Sequence, residues 1–485
     1  MHLGRKSMKI LYASVEVAPF AKVGGLADVA GSLPKALDAL GHDVKIFMPA
    51  YPMVVGSAAP KFTGLNVQLN SNQSYNFDAW ELEIDGVPVW LVGGEGLFDE
   101  THRSEELYSY GRDSYLFFAQ AAMAVCEAAG WIPDVVHAND WHTGFMPVMI
   151  REKGGAKWQN TATVFSIHNL QYQGGFGRDT VAAAGLPEEL FTSGKLENWG
   201  GVNFIKSACV FADMVNTVSP TYASEITTEA FGVGQWGLMR DLTHHGKLRG
   251  ILNGIDYDAF SPEADPVIAK NFTAEDLNGK AECKHVLQKE LGLTVDPNSP
   301  LIGMVSRLSD QKGYDLILKQ AYGMLALGGQ FAVLGTGDQW VAGELRQLGA
   351  EWRDQVRFVE RYDGPLAQQI YAGSDLFMIP SRFEPCGLGQ MIACRYGTVP
   401  IARRTGGLAD TIHDGQNGFN FGPIGAKPLF DTVSRAFAAY RDKDGWQQLV
   451  RRCMETDFTW KSSAAQYEEM YRDALRARVG VALSV

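Results

Sequence analysis

Cysteine is scarce, with six in 485 residues: Cys126, Cys209, Cys283, Cys386, Cys394 and Cys453. None forms a CxxC pair and the spacing is too wide for a disulfide framework, so buried or free thiols in a reducing cytoplasm are expected. No apolar run approaches the ~18–20 residues of a membrane span. No apolar stretch follows the basic start Met1 to Lys9, so no secretory signal is expected. Met8 offers a second start, which would make Met1–Ser7 a dispensable extension. Excess positive charge is lacking too: 43 Lys and Arg stand against 55 Asp and Glu, a net charge of −12. Such a chain is poorly suited to nucleic acid, although a local basic cluster can still hold one phosphate-bearing small molecule. There is no GxxxxGK[ST] run, which excludes a P-loop nucleotidase. Gly335-Thr336-Gly337 begins a dinucleotide fingerprint, but Trp340 occupies the third glycine position and no acidic ribose partner follows. Asp256-Tyr257-Asp258 spells DxD, a weak signal alone, and no metal-ligand spacing is found, so no metal and no cofactor are expected.

Short β-branched runs alternate with longer amphipathic stretches. The first set comprises Lys9–Ser14, Val44–Met48, Val135–Ala138, Ala162–Ile167 and Met214–Val218. The second comprises Leu301–Ser306, Gln330–Leu334, Val356–Val359, Leu376–Ile379 and Thr398–Ala402. Near-continuous apolar runs separated by helical patterns predict parallel sheets covered on both faces. Asp85-Gly86 between Trp80–Ile84 and Val87–Val92 predicts a hairpin. A helix is expected after Gly25, kinked or interrupted at Pro34. The segment 257–300 is polar and irregular, with a helical stretch at Ala274–Leu291. The expected organisation is therefore an α/β chain of two Rossmann-like domains, residues 1–256 and 257–460, facing each other across a deep cleft. A last helical segment, 461–485, packs back on the first domain, and a hinge is expected near Asn253–Pro262. Gly24-Gly25-Leu26-Ala27-Asp28 recurs as Gly406-Gly407-Leu408-Ala409-Asp410, one glycine turn before a helix in each half.

Ligands of open parallel sheets bind beyond the carboxyl ends of the strands. In the first half those ends are followed by Glu16, Lys22 and Gly24-Gly25; by Asn139, Asp140, Trp141 and His142; by His168 and Asn169; and by Asn253. In the second half they are followed by Arg307 and Lys312, by Ser381, Arg382 and Glu384, and by Arg404-Thr405-Gly406-Gly407. The residue types suit a sugar diphosphate. Glycine turns at helix N-termini let backbone N–H groups approach an anion. Arg307 and Lys312 offer fixed charge to a diphosphate leaving group, though either alone reads equally as a solvated surface charge. Asp140 and Trp141 offer a carboxylate and an aromatic face to a sugar, while Trp141 and His168 also have a plain reading as core residues. Glu384 suits sugar hydroxyls or developing positive charge, or else caps the helix that follows it.

Seven ordered blocks resemble the bacterial glycogen synthase and plant starch synthase family, glycosyltransferase family 5. They are Lys22-Val23-Gly24-Gly25-Leu26-Ala27-Asp28-Val29, His137-Ala138-Asn139-Asp140-Trp141-His142, Ser166-Ile167-His168-Asn169-Leu170, Asn253-Gly254-Ile255-Asp256, Ser306-Arg307-Leu308 with Gln311-Lys312-Gly313, Ser381-Arg382-Phe383-Glu384-Pro385-Cys386-Gly387-Leu388, and Arg404-Thr405-Gly406-Gly407-Leu408-Ala409-Asp410-Thr411. The resemblance runs from Met8 to about Tyr471. It implies a GT-B fold and retaining transfer of glucose from ADP-glucose to the non-reducing end of an α-1,4-glucan without a metal. It implies a catalytic set of His168, Arg307, Lys312 and Glu384. Donor contacts would come from Lys22, Gly24, Gly25, Asp28, Asn253, Tyr362 (stacked on adenine), Cys386, Gly387, Leu388, Thr405, Gly406 and Gly407, and acceptor contacts from Glu16, Asp140 and Trp141. Partners would be ADP-glucose and glycogen or starch, in a cytoplasmic or stroma-like setting. Val23 and Gly389 stand where many bacterial members carry Thr, and Phe260 where Trp is frequent. These departures touch donor and acceptor preference, not a charged catalytic group. The alternatives are a transferase that uses UDP-glucose or forms maltosyl phosphate, and a catalytically silent glucan-binding protein.

Overall fold

The computed structural model describes residues 7–94, 96–101, 103 and 106–482. All but Ser7 of the expected N-terminal extension, and residues 483–485 of the expected last helix, lie outside these. The chain forms two compact units: one holds the chain up to Gly254 and from Trp460 onward, the other Ile255–Thr459.

The first unit is built on β1 (Lys9–Ala13), β2 (Asp43–Pro49), β3 (Phe62–Asn70), β4 (Gln73–Ile84), β5 (Val87–Gly93), β6 (Val135–Asn139), β7 (Ala162–Ile167), three short strands β8 (Gly175–Phe176), β9 (Glu197–Asn198) and β10 (Gly201–Asn203), then β11 (Met214–Thr217) and β12 (Leu248–Gly250). The main sheet has the order β12-β11-β7-β6-β1-β2-β5-β4-β3. Its strands from β12 to β5 are parallel, and the β5-β4-β3 edge is antiparallel. The strand order reverses between β1 and β6, which makes their carboxyl ends the switch point where ligands bind. The Asp85-Gly86 hairpin forms with φ of 49° and 87°, the pair that a type I′ turn demands. The helix Gly25–Ala39 runs unbroken through Pro34, contrary to the expected interruption. A mid-helix proline costs about 3 kcal/mol. Leu26, Val29, Leu33 and Leu37 are all buried on the same helix, and each buried side chain of this kind contributes roughly 1.5–3 kcal/mol, which outweighs that cost.

The long helix Trp460–Ala482 closes this unit through a buried polar chain. Burial pushes the His137 imidazole well below its ordinary pKa, so it is neutral and carries one N–H. The Ser166 hydroxyl donates to Asn216 Oδ1, and Asn216 Nδ2 donates to the Tyr467 hydroxyl. Ser166 Oγ must therefore accept from His137 Nε2–H at 2.6 Å, which leaves His137 Nδ1 to accept from the Tyr471 hydroxyl at 2.7 Å. The bonds run in one direction from Tyr471, through β6, β7 and β11, to Tyr467 one turn away. Every member is satisfied, the condition under which a buried network stabilises.

The second unit comprises β13 (Leu301–Val305), β14 (Gln330–Leu334), β15 (Val356–Val359), β16 (Leu376–Ile379), β17 (Val399–Arg403) and β18 (Phe419–Phe421), in the order β15-β14-β13-β16-β17-β18. All pairings are parallel, and the order reverses between β13 and β16. Buried Lys280 on the helix Asn278–Glu290 shares its three N–H groups among Ala372 O, Ser374 O, Tyr396 O and Thr398 Oγ1, fixing the loops that enter β16 and β17.

Candidate active-site residues

At the β1/β6 switch point of the first unit, the side chains that follow β6 and β7 are largely buried and are linked mainly by hydrogen bonds. Asn139 Nδ2 donates to Ala13 O, which fixes the amide so that Oδ1 faces both Tyr12 OH and His168 Nε2, at 3.1 and 2.9 Å. Burial pushes the His168 pKa down to about 3. The ring is thus neutral with its proton on Nε2, which leaves a lone pair on Nδ1. Asp140 takes a left-handed φ of 57°, which is unusual for a non-glycine residue. Its Oδ1 accepts from the amides of His168 and Asn169, and burial still raises its pKa to about 7. Trp141 packs among Tyr115, Phe176 and Phe204, so its core reading holds at least in part.

Glu16 is 1% exposed. Its Oε2 accepts from the amides of Val23 and Gly24 at 2.6 and 3.0 Å, and Oε1 from the Tyr108 hydroxyl. The Gly24 amide is therefore taken by Glu16, and Gly25 opens the helix at the surface. Burial raises the Glu16 pKa. Lys22 pairs with Asp28 at 2.6 Å. Asn253 is buried and its Oδ1 has no partner among the described residues. Tyr108 was not anticipated from the sequence. It lies in an irregular stretch without periodicity, stacks on His142 at 4.7 Å and so joins two of the strand-end loops.

At the β13/β16 switch point of the second unit, charge dominates. Lys312 Nζ and the Ser381 hydroxyl both donate to Glu384 Oε2, at 2.6 and 2.8 Å. The two loops that bring them together are stitched along their backbones. Arg382 N–H donates to Gln311 O, and Gln311 Nε2 to Phe383 O, at 2.7 and 3.2 Å. The Arg382 guanidinium pairs with Asp310 and Asp315. A Cβ on Gly313 would lie 2.4 Å from Pro380 O, so only glycine permits this approach. Gly406 and Gly407 cradle the other side: Cβ atoms there would meet Glu384 O at 1.9 Å and Cys386 O at 2.2 Å. The Gly407 amide donates to Glu384 O, so this glycine pair holds the Glu384 loop as well as opening a helix.

Glu384 does not cap the helix Gly389–Arg395, whose N-cap, Leu388, has no side-chain bond. Gln390 Nε2 holds Cys386 O and Gly387 O. Lys312, Ser381, Glu384, Gly387 and Leu388 line a cavity of about 80 Å³. The Arg307 guanidinium has no partner among the described residues and stands exposed at the end of β13. Tyr362 is 80% exposed beyond β15, while Thr405 is buried at the start of the helix Gly406–Thr411. Asp256 Oδ1 accepts from the amides of Asp258 and Ala259, so the DxD sequence closes a turn.

Residues 9–241 match the starch synthase catalytic domain family, and residues 299–438 the glycosyl transferases group 1 family. A glycogen synthase from Syntrophotalea carbinolica is 42% identical over 481 residues, covering 96% of this chain and 99% of its own. The chain belongs to the glycogen synthase and starch synthase family. A second glycogen synthase, from Moorella thermoacetica, is 43% identical and covers 98% of both chains. The catalytic domain of starch synthase IV from Arabidopsis thaliana, solved with ADP and acarbose, superposes with a TM-score of 0.90 at 36% identity over 97% of this chain and 100% of that one. Sucrose-phosphate synthase from Thermosynechococcus elongatus, at 20% identity and a TM-score of 0.62, shares the fold alone. The two parallel-sheet units are thus those of a GT-B glycosyltransferase, and the chain has the glycogen or starch synthase function of its family. No helix among the described residues is long and apolar enough to cross a membrane.

Proposed function

We propose that this glycogen synthase family member transfers glucose from ADP-glucose to the non-reducing end of an α-1,4-glucan with retention at the anomeric carbon. The observation that carries the reading is the Lys312–Glu384–Ser381 cluster at the β13/β16 switch point, beside an exposed Arg307. ADP bound to the starch synthase IV relative supports an adenine donor, and exposed Tyr362 is the ring assigned to stack on it. Arg307 and Lys312 carry the charge that develops on the departing diphosphate. No metal is required for that role when two cations supply it.

Glu384, whose Oε2 is held by an ammonium and a hydroxyl, is assigned to the sugar hydroxyls rather than to the anomeric carbon. Double displacement requires a carboxylate free to form a bond to the anomeric carbon. With no carboxylate assigned to the anomeric carbon, the proposed reaction is a front-face substitution. The bond between C1 and the diphosphate oxygen breaks, the acceptor 4-hydroxyl oxygen bonds to C1 on the same face, and its proton passes to the departing phosphate oxygen. Neutral His168 accepts from a glucosyl hydroxyl at Nδ1, Asn253 Oδ1 accepts from another, and Glu384 holds the glucose. In this assignment Lys22, Gly25 and Asp28 serve the donor, as do the Cys386–Leu388 and Thr405–Gly407 loops. Glu16, Asp140 and Trp141 serve the acceptor, and Glu16 also shapes the loop that carries donor-side Lys22.

The test is nucleotide release from ADP-glucose and UDP-glucose with and without glycogen, with proton NMR of the new linkage. Glycogen-dependent ADP release and an α linkage are expected. Faster UDP release would overturn the donor, and a β linkage the retention.

A further inference from the structure

The first unit carries an aromatic surface that none of these roles uses. Trp199 is 86% exposed, Tyr172 51%, Val233 39% and Trp236 36%. They come from three separate loops, yet buried and half-buried amides draw those loops together. Gln173 Nε2 donates to Val233 O at 2.8 Å. Gln235 Nε2 donates to Gln173 Oε1 and to Asn198 Oδ1, both at 3.2 Å. Asn203 Nδ2 completes the knot on Gln173 Oε1 at 2.6 Å. Apart from Asn203, each bonded residue is next in sequence to one of the exposed apolar side chains, or is that residue itself: Gln173 to Tyr172, Asn198 to Trp199, Gln235 to Trp236, and Val233 through its own carbonyl.

The backbone is bent to present them. Trp199-Gly200 is the two-residue turn between β9 and β10, with φ of 55° and 82°. Tryptophan is a poor choice for a left-handed turn position, which asparagine or glycine fills without strain. Val233 too has a positive φ, of 45°. A bulky apolar ring at a hairpin tip gains nothing from burial, so its retention in a strained turn calls for a ligand. The Arg240 guanidinium covers one face of Trp236 at 4.7 Å.

We infer that Trp199, Tyr172 and Trp236 form a platform for the distal part of the α-glucan acceptor, separate from the reacting end. The inference rests on the glucan reading of the active-site residues. The occupant follows from the chemistry and from continuity. Aromatic faces match the apolar C–H faces of glucose units, and a rim of side-chain amides matches their hydroxyls. The platform begins at Tyr172, four residues beyond His168. It also adjoins the acceptor-side Trp141, whose ring packs on Phe176 of the same small sheet and would be struck by a Cβ on Gly174 at 2.3 Å. In this assignment a long glucan spans the reacting end and Trp199 together, and the comparison of glycogen with maltotriose tests that span.

The test compares the full chain with Trp199→Asn, which removes the ring and suits the left-handed turn, and with Trp199→Tyr, which keeps a ring. Acceptor KM for glycogen and for maltotriose, retardation in glycogen-containing native gels, and sedimentation are measured for all three. For Trp199→Asn the glycogen KM should rise about tenfold, the loss of roughly one stacked ring. Gel retardation should fall, maltotriose kinetics should stay within about twofold by the same arithmetic, and Trp199→Tyr should restore most of the loss. Unchanged glycogen KM and retardation would overturn the platform, as would equal losses on both acceptors. A wild-type dimer that Trp199→Asn dissociates, with glycogen affinity intact, would reassign the surface to contact between copies. If the wild type transfers glucose to neither acceptor, the function reading fails. Gel retardation, lost or kept in Trp199→Asn, then decides the platform alone.

Discussion

The two switch points solve different problems with the same topology. At β1/β6 the polar groups at the strand ends are mostly buried: His168 is neutral, Asp140 titrates near 7, and burial raises Glu16, with the Lys22–Asp28 ion pair nearer the surface. At β13/β16 the groups are charged and paired, or charged and open to solvent, as in Lys312–Glu384 and Arg307. A desolvated, uncharged surface suits hydroxyls, whose bonds strengthen as water leaves. A charged one suits phosphates. The contrast shows how a sheet edge is specialised by what its loops bury, and less by which residue types they carry.

The contrast breaks most sharply if the second unit loses its charge. Lys312→Ala should lower kcat by about 10²–10³, the range for removing one group that stabilises transition-state charge. Glycogen affinity should hold within about twofold by the free-energy arithmetic of binding. Steady-state kinetics with ADP-glucose decide this, and a loss confined to acceptor affinity would remove Lys312 from the leaving-group role.

On the first unit the corresponding change is Asp140→Asn, with kcat expected to fall about tenfold, a typical effect of a misplaced polar contact. It also gives a pH signature. Native Asp140 keeps its proton up to about pH 7, while an unfolded aspartate loses it near 4, so folding takes up a proton between those values. Its contribution to stability is full below about pH 4 and lost as pH rises through 7. Asp140→Asn lacks that slope, so calorimetry from pH 5 to 8 should show its melting temperature gaining on the wild type as pH rises. Parallel curves would mean that Asp140 is ionised throughout.

Smaller effects follow at the margins. Tyr362→Ala should raise the donor KM about tenfold with kcat nearly unchanged, because stacking on a base is worth ~1–3 kcal/mol. Tyr471→Phe keeps the ring but leaves His137 Nδ1 without a donor. It should cost about 1–3 kcal/mol of stability, read from urea unfolding, with little change in kinetics. Smallest of all, EDTA should leave transfer unchanged. Among the described residues no three His, Cys, Asp or Glu side chains are placed to hold a metal. A rate that falls on chelation and returns with magnesium would contradict the two-cation account.

The parallel strands were legible because fully buried strands spell themselves as apolar runs. Ala162–Ile167, Gln330–Leu334 and Leu376–Ile379 have the expected bounds, and so does the less buried edge strand Val356–Val359. The edge strand β3 was not, since an exposed antiparallel edge such as Phe62–Asn70 carries mixed residues. Strand-end loops named the site residues, but not how they are used. That Glu384 meets Lys312 depends on a contact 72 positions apart. That Gly406 and Gly407 cradle the Glu384 backbone depends on one that is 20 or more apart in sequence. Tyr108 left no trace, because it acts through a hydroxyl and a ring face in a segment with no repeat.

The helix Trp460–Ala482 belongs to the first unit, although the whole of Ile255–Thr459 is made before it. Order of synthesis and order of completion therefore part company. While a ribosome is still making this chain, the second unit has all its strands, but the first has a hole where Tyr467 and Tyr471 will sit. Until they arrive, His137 and Asn216 face an unfilled groove and must be solvated or shielded. A nascent chain stalled before residue 467 is then a substrate for chaperones, however well its other half has folded.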